Sequence, residues 1–152
     1  MDDQPKTKKI ILGSDHAGFE RKEEVRAYLT TLGFEVKDVS EPVYDAKDDY
    51  PKYAAEVARQ VANKSYDRGI AMCGSGIGAS IAANRFSGVR AALCLTPEMA
   101  LLSRRHNDSN VLVLAGRLTG REEMVRIVDA WLAEGFEGGR HLRRVGQLDL
   151  LQ

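Results

Sequence analysis

The sequence predicts an α/β sandwich, in which helices cover both faces of a mainly parallel β-sheet. The chain has 152 residues, the size of one ordinary domain, and 43% of them are hydrophobic. Five short strand-like segments alternate along it with longer segments that have helical spacing. Most of the short segments are continuously apolar, which is typical of strands buried on both faces of a parallel sheet.

The predicted elements follow one another in strand and helix order. Gly33 is a typical stop for the first helical segment, and Pro51 suits the first turn of the second. A Gly138–Gly139 hinge precedes a basic C-terminal segment, which we expect to form a helical arm. The predicted strands are 9–13, 34–39, 69–73, 89–95 and 110–115. Three of the predicted helices are 19–33, 77–86 and 97–105. Two more are indicated by apolar residues at helical spacing: Val57, Ala58, Val61 and Ala62 after Pro51, and the stripe of Met124, Ile127, Val128, Trp131 and Leu132.

Composition and charge limit the class of protein. Lys plus Arg equals Asp plus Glu, at 22 each, which argues against a general binder of nucleic acid or of membrane surfaces. No apolar run reaches the roughly 18 residues that predict a membrane span. The two cysteines and three histidines lack the spacing of a disulfide framework or a metal site. We expect a reduced, cytoplasmic protein without a structural metal, with a flexible arm at residues 1–8 and a single domain at 9–152.

Two unusual loops follow the first and third predicted strands. We expect the flavodoxin-like strand order 2-1-3-4-5, which puts these two strands at the switch point where ligands bind. The first loop, Gly13–Gly18, contains Asp15 and His16. An Asp can exchange protons or hold a sugar hydroxyl, and a His can do either or bind a phosphate. The alternative is that Asp15 caps the next helix and His16 lies at the surface.

The second loop runs from Cys73 to Ser80 and contains three glycines within five residues. Its backbone N–H groups and the helix N-terminus that follows favour a phosphate, a carboxylate or a developing enediolate. The same positive field favours the thiolate of Cys73, which is suited to removing a proton beside a carbonyl. The alternatives are that Cys73 is a small buried hydrophobe, or that Gly74, Gly76 and Ala79 form a weak dinucleotide-binding pattern.

Two further segments are basic. Residues 103–108 contain His106, a candidate general acid or base, although Arg and His also suit an ordinary helix C-terminus. Residues 138–144, with Arg117 upstream, supply several guanidinium groups suited to bidentate phosphate binding. The alternative for this second segment is a solvated basic face of a terminal helix.

Four segments taken together resemble ribose-5-phosphate isomerase B and its galactose-6-phosphate isomerase relatives: GSDHAGF, CGSGIGASIAANRFSGVRA, SRRHNDSNVL and GGRHLRRV. The resemblance runs from about Lys9 to Val145. It implies a three-layer Rossmann-like sandwich and an aldose-ketose isomerase that interconverts ribose 5-phosphate and ribulose 5-phosphate in the pentose phosphate pathway. It also implies no metal and no cofactor. The expected assembly is a homodimer or homotetramer whose active site is shared across the dimer interface.

The resemblance implies a role for each matched residue. Cys73 would be the base that moves the proton between C1 and C2, and Ser75 would keep a hydroxyl that some members supply from Thr. Asp15 and His106 would open the sugar ring, with His106 arriving from the neighbouring subunit. The enediolate would be cradled by Gly74, Gly76, Ile77 and Gly78, and the sugar would touch Asn107. The phosphate would be held by His16, Arg117, Arg140 and Arg144.

Two alternatives to this function remain open at the level of sequence. Within enzymes, the substrate could be allose 6-phosphate or galactose 6-phosphate, because the distance between phosphate and carbonyl is not readable from the chain. Outside enzymes, the glycine-rich loop is compatible with a non-catalytic nucleotide-binding module. Some family members use a Glu base and lack the cysteine, so the presence of Cys73 indicates the cysteine type.

Overall fold

Five parallel strands form one sheet in the computed structural model, which describes residues 8–151. The strands are β1 Lys9–Ser14, β2 Glu35–Asp38, β3 Gly69–Cys73, β4 Ala91–Leu93 and β5 Val111–Ala115. A 3₁₀ turn at His16–Gly18 follows β1, and the helices are α1 Phe19–Thr31, α2 Tyr50–Ala62, α3 Ile77–Ala83, α4 Pro97–Asn107, α5 Arg121–Ala133 and α6 Arg140–Asp149. The predicted α/β class is therefore confirmed. Most of the predicted N-terminal arm, residues 1–7, lies outside the described residues.

The three layers follow from the two-residue period of the strands. Successive strand side chains point to opposite faces, so each strand supplies both cores. Leu12, Met72 and Leu114 face the core that α1, α4 and α5 cover. Ile11, Ala71 and Val113 face the core that α2 and α3 cover. The sheet interior is consequently buried on both sides, as the continuous apolar runs predict.

The order of the last two strands differs from the expected 2-1-3-4-5. The sheet runs β2-β1-β3-β5-β4, so β5 lies beside β3 and β4 forms the edge. All five residues of β5 are fully buried, whereas β4 has three residues that are each half-buried. The long apolar strand gains most from an interior position with partners on both sides, and a short strand suits an edge.

The chain continues beyond the sheet into α6, the predicted C-terminal helical arm. Gly138 and Gly139 both have positive φ, of 69° and 55°, and turn the chain into this helix. His141 and Val145 are its buried residues. Among residues 8–151, no helix combines the length and apolar character that crossing a bilayer would need.

Candidate active site

Three loops meet at the carboxyl ends of the neighbouring strands β1, β3 and β5. The N–H of Gly116 donates to the carbonyl of Cys73 at 2.8 Å, and the N–H of Arg117 donates to the carbonyl of Gly74 at 2.9 Å. A Cβ on Gly116 would lie only 2.6 Å from the Cα of Gly18, so this close approach of two backbones requires glycine. The three loops therefore form one interlocked unit at this edge of the sheet.

Asp15 lies at the level of Cys73, because its neighbour Ser14 pairs with Met72 in the sheet. Its side chain is almost fully buried, and Oδ1 accepts a hydrogen bond from the N–H of Ala17 at 3.0 Å. Burial raises the pKa of the Asp15 carboxyl, partly opposed by the charge of His16 and by backbone N–H groups. Asp15 thus caps the turn and also has a proton affinity closer to the range that acid–base chemistry needs.

His16 is held by a residue from a distant loop, Asp48. Both the backbone N–H and the ring Nδ1 of His16 lie 2.8 Å from Asp48 Oδ1. The hydrogen bond to Asp48 raises the pKa of His16, which favours the imidazolium form. Asp48 has no signal in the sequence, because 32 residues separate it from His16 and nothing local to either residue links them.

Cys73 ends β3, and the residue is only 4% exposed. The loop then turns into α3 through Gly76, whose φ of 75° is left-handed. Ser75 Oγ accepts a hydrogen bond from the N–H of Ile77 at 3.2 Å, so its own hydroxyl proton is free for a ligand. Within residues 8–151 the N–H groups of Gly74, Ser75 and Gly76 donate no hydrogen bond, so they too are available to a ligand.

The remaining part of this loop is also accessible. Ile77 is 56% exposed, and Gly78 lies against the ring of Tyr50. The side chain of Arg117 runs past Gly74 on the other side, close to the position that a Cβ of Gly74 would take. We call this set the strand-end cluster: Asp15, His16, Cys73, residues 74–78 and Arg117.

The other predicted site residues lie elsewhere in the same chain. Helix α4 follows β4 and returns to the amino end of β5, so its last residues, His106 and Asn107, lie near that end. Val111 of β5 pairs with Gly69, four residues before Cys73, which corresponds to about 13 Å along the strand. One chain therefore does not bring His106 and Asn107 to Cys73.

His106 belongs to a second group, which we call the helix-end cluster: His106, Asn107, Glu137, Arg140, His141 and Arg144. The rings of His106 and His141 stack at 4.2 Å with an angle of 12° between their planes. Glu137 Oε2 lies 3.5 Å from His141 Nε2 and 4.0 Å from His106 Nε2. Arg140 and Arg144 are exposed one turn apart on α6. His141 was not among the predicted site residues, although its position between two predicted phosphate-binding arginines is a usable signal in the sequence.

Within residues 8–151, two groups of side chains have ligand atoms close enough together to bind a metal ion: His106, Glu137 and His141, and also Asp15, His16 and Asp48. A metal ion lies near the plane of each imidazole that binds it. The stacked rings of His106 and His141 do not direct both lone pairs to one point. In the second group, the Nδ1 of His16 is already hydrogen-bonded to Asp48. Neither arrangement is that of a formed coordination site.

Comparisons with known proteins agree with this geometry. The family model described as Ribose/Galactose Isomerase matches residues 10–148. The chain is 48% identical to ribose-5-phosphate isomerase B of Escherichia coli strain K12 over 145 residues, which cover 95% of this chain and 97% of that protein. It is 42% identical to a probable ribose-5-phosphate isomerase B of Mycoplasma genitalium over 91% of this chain and 92% of that protein.

Solved structures are equally similar. A ribose 5-phosphate isomerase of Thermotoga maritima superposes with a TM-score of 0.91 and 50% identity, covering 94% of this chain and 98% of that one. Ribose-5-phosphate isomerase B of Mycoplasma genitalium with bound ribulose-5-phosphate superposes with a TM-score of 0.90 and 42% identity, covering 93% of both chains. The chain therefore belongs to the ribose/galactose isomerase family.

Proposed function

We propose that the protein interconverts ribose 5-phosphate and ribulose 5-phosphate by moving a proton between C1 and C2 through an enediolate. The observation that carries this proposal is the juxtaposition of Cys73, the buried Asp15 and three unpaired backbone N–H groups at one edge of the sheet. Similar proteins bear this activity in their names, and one of them is solved with bound ribulose-5-phosphate.

The proton transfer needs a base next to a site for negative charge. The thiolate of Cys73 takes the proton from the carbon beside the carbonyl, and the electron pair moves onto the carbonyl oxygen. The free N–H groups of residues 74–76 and the hydroxyl of Ser75 stabilise that oxygen. A proton moves from the hydroxyl on C2 to the oxygen on C1, and the thiol returns its own proton to C1, which leaves the carbonyl at C2 and regenerates the thiolate. Groups of this kind contribute about 10²- to 10⁴-fold each to a rate.

The sugar ring must open before this step, because a cyclic hemiacetal has no carbonyl to acidify the adjacent C–H bond. Opening requires a proton to leave the anomeric hydroxyl and another to reach the ring oxygen. Asp15, with its raised pKa, exchanges one of these protons. His106 supplies the other, and Asn107 binds the sugar beside it.

We propose that the complete site lies between two copies of the chain. Cys73 and His106 sit at opposite ends of one subunit, so each strand-end cluster needs the helix-end cluster of a partner subunit. Apolar side chains are exposed on either side of the edge strand β4 and suit such an interface: Ile77 and Ile81 on α3, with Leu95, Met99 and Leu102 around α4. In this homodimer, or in a homotetramer built from it, Arg140 and Arg144 join His16 and Arg117 at the phosphate.

We further propose a cytoplasmic location and a place in the pentose phosphate pathway. Support for the location comes from the two cysteines, which are both free and buried, since a reducing compartment preserves them. Support for the pathway comes from the proposed substrate and product.

The first experiment is conversion of ribose 5-phosphate by the purified protein with EDTA present, in deuterated water. Formation of ribulose 5-phosphate, with deuterium entering at C2 in the reverse direction, is the expected result. If the protein converted only allose 6-phosphate or only galactose 6-phosphate, that sugar phosphate would replace ribose 5-phosphate as the proposed substrate. Failure with all three, together with tight binding of a nucleotide, would replace the proposal with a binding module.

The shared site has its own test. The variants Cys73→Ala and His106→Asn should each be inactive, and mixing them under conditions that exchange subunits should restore activity. Each mixed dimer has one site with both native residues, so about a quarter of the wild-type activity is expected after full exchange. No recovery, with mixed dimers detected by mass, would mean that the two residues do not act across an interface.

A further inference from the structure

The loop between β2 and α2, residues 39–49, lies over the strand-end cluster and has no part in the function proposed so far. Its Tyr44 meets the ring of His16 edge to face, with 6.1 Å between centroids. Its Asp48 binds His16 directly and is only 8% exposed in its side chain. This loop therefore brings a nearly buried carboxylate against a residue of the proposed site.

Hydrogen bonds hold both oxygens of the Asp48 carboxylate. Its Oδ1 accepts from two donors of His16, the backbone N–H and Nδ1, each at 2.8 Å. Its Oδ2 lies 3.1 Å from the hydroxyl of Tyr53, which is 2% exposed on α2. The same hydroxyl lies 3.2 Å from Glu41, which pairs with Lys52. The carboxylate is therefore fixed from both sides and has little freedom to turn away from His16.

This arrangement decides which nitrogen of His16 carries a proton. An ionised carboxylate only accepts hydrogen bonds, so Nδ1 must be the protonated nitrogen. Within the described part of the chain Nε2 has no hydrogen-bond partner, so it is the nitrogen left for a ligand. A carboxylate paired with an imidazole also stabilises the doubly protonated cation, in which Nε2 is a donor.

We propose that Asp48 is a positioning residue of the isomerase, which orients His16 through Nδ1 and favours the form of the ring in which Nε2–H donates to the phosphate of the substrate. The proposal deepens the proposed function, because it rests on His16 as a phosphate ligand. Asp48 itself touches no reacting atom. It acts as the carboxylate behind a metal-binding histidine acts, by fixing the tautomer and the direction of the ring.

The charges around His16 agree with this role. The hydrogen bond that His16 donates to Asp48 raises the pKa of His16, partial burial opposes the rise, and the nearby carboxylate of Asp15 adds to it. For Asp48, burial works against ionisation, but hydrogen bonds from His16 and Tyr53 outweigh it, and its pKa is lowered. Both shifts therefore favour the ionised form of the pair, and the cation is lost as the pH rises through the pKa of His16.

The test compares Asp48→Asn with Asp45→Asn. Asparagine keeps the shape of Asp48 and removes its charge. Asp45 lies in the same loop, is exposed and caps its own turn at Lys47 N–H, which asparagine can also do. We expect Asp48→Asn to raise the KM for ribose 5-phosphate about tenfold near neutral pH, equivalent to about 1.4 kcal/mol, with a smaller change in kcat. The control should leave both constants within about twofold.

Two further readouts separate positioning from a general structural effect. The rise of KM with pH should begin at a lower pH in Asp48→Asn than in the wild type. In a His16→Gln background, Asp48→Asn should add little, because its effect passes through His16. An undiminished effect in that background, or a pH profile identical to that of the wild type, would overturn the proposal.

Nitrogen-detected NMR of the histidine rings tests the same point without any substrate. The chain has three histidines, so His16→Gln assigns the signal of His16. The wild type should show Nδ1 protonated throughout and a titration above that of a free histidine, and Asp48→Asn should lower the titration midpoint. A wild-type ring protonated at Nε2 alone would overturn the proposal, even if Asp48→Asn failed to fold. If the protein turned over none of the three sugar phosphates, the proposed function would fail while this measurement still decided the state of His16.

Discussion

Replacing Gly116 with alanine should reduce catalysis about 100-fold in a protein that still folds, because it pushes one active-site loop away from another. Gly116 is the first residue after β5, and its N–H donates to the carbonyl of Cys73 at 2.8 Å. An added Cβ would lie 2.6 Å from the Cα of Gly18 and 2.9 Å from the carbonyl oxygen of Ala17. Both obstacles are backbone atoms, so no side-chain rotation relieves them.

The size of the effect follows from these distances. An ordinary contact begins at about 3.4 Å, so the loop that carries Asp15 and His16 must move by about 0.8 Å relative to Cys73. A misplacement of about 1 Å in an active site can cost about 100-fold in rate, or about 2.7 kcal/mol in the activation free energy. The expected loss of unfolding free energy is that of overpacking, about 1 to 3 kcal/mol.

The assay is kcat/KM for ribose 5-phosphate, with urea unfolding of the same samples. The matched control is Gly135→Ala, because a Cβ on Gly135 would meet no heavy atom within 4 Å. We expect a fall of about 100-fold for Gly116→Ala in a protein that still unfolds cooperatively, and a change below about twofold for the control. Activity of Gly116→Ala within about twofold of the wild type would refute the interlocked arrangement of the three loops.

Two further predictions test the proposed catalytic and binding roles, and two test the pH dependence of stability. Cys73→Ala should lower kcat by about 10³-fold while leaving the urea midpoint and phosphate binding nearly unchanged, and retained turnover would exclude Cys73 as the base. Arg140→Ala should raise KM more than it lowers kcat, whereas Arg126→Ala on α5 should change neither, and a fall in kcat alone would place Arg140 in the transition state. Burial and the nearby charge of His106 lower the pKa of His141, so the contribution of His141 to the unfolding free energy should diminish as the pH falls below about 6.5. His141→Gln should remove this part of the dependence of unfolding free energy on pH. The pKa of His16 is raised, so its contribution to the unfolding free energy has the opposite pH dependence: it is present below about pH 6.5 and lost as the pH rises through the folded pKa. In urea titrations across pH 5 to 8, His16→Gln should therefore change the slope of unfolding free energy against pH in the opposite direction to His141→Gln. Equal slopes in both variants would contradict this.

The sequence alone was sufficient for the fold class and for the two loops of the strand-end cluster that follow β1 and β3, whereas the place of Arg117 beside Gly74 came from the structure. A buried strand of a parallel sheet must be apolar on both faces, so the continuous apolar runs at 69–73 and 110–115 can be recognised as buried strands from the sequence alone. Parallel strands place their carboxyl ends at one edge, so the loops that follow β1 and β3 meet there because these two strands are neighbours in the sheet, as the expected strand order predicts. Local chemistry therefore located Asp15 and Cys73 at one site.

The tertiary structure decided what depends on distant partners. The strand order near β4 and β5 is set by which strand gains more from burial, a comparison that no single segment contains. The bond between Asp48 and His16 joins residues 32 positions apart. Gly116 is an ordinary loop glycine in the sequence, and only the approach of Gly18 gives it a role. Periodicity and turn chemistry act over a few residues, whereas pairing across the fold depends on how the whole chain packs, so the sequence determined the elements and the packing determined how they meet.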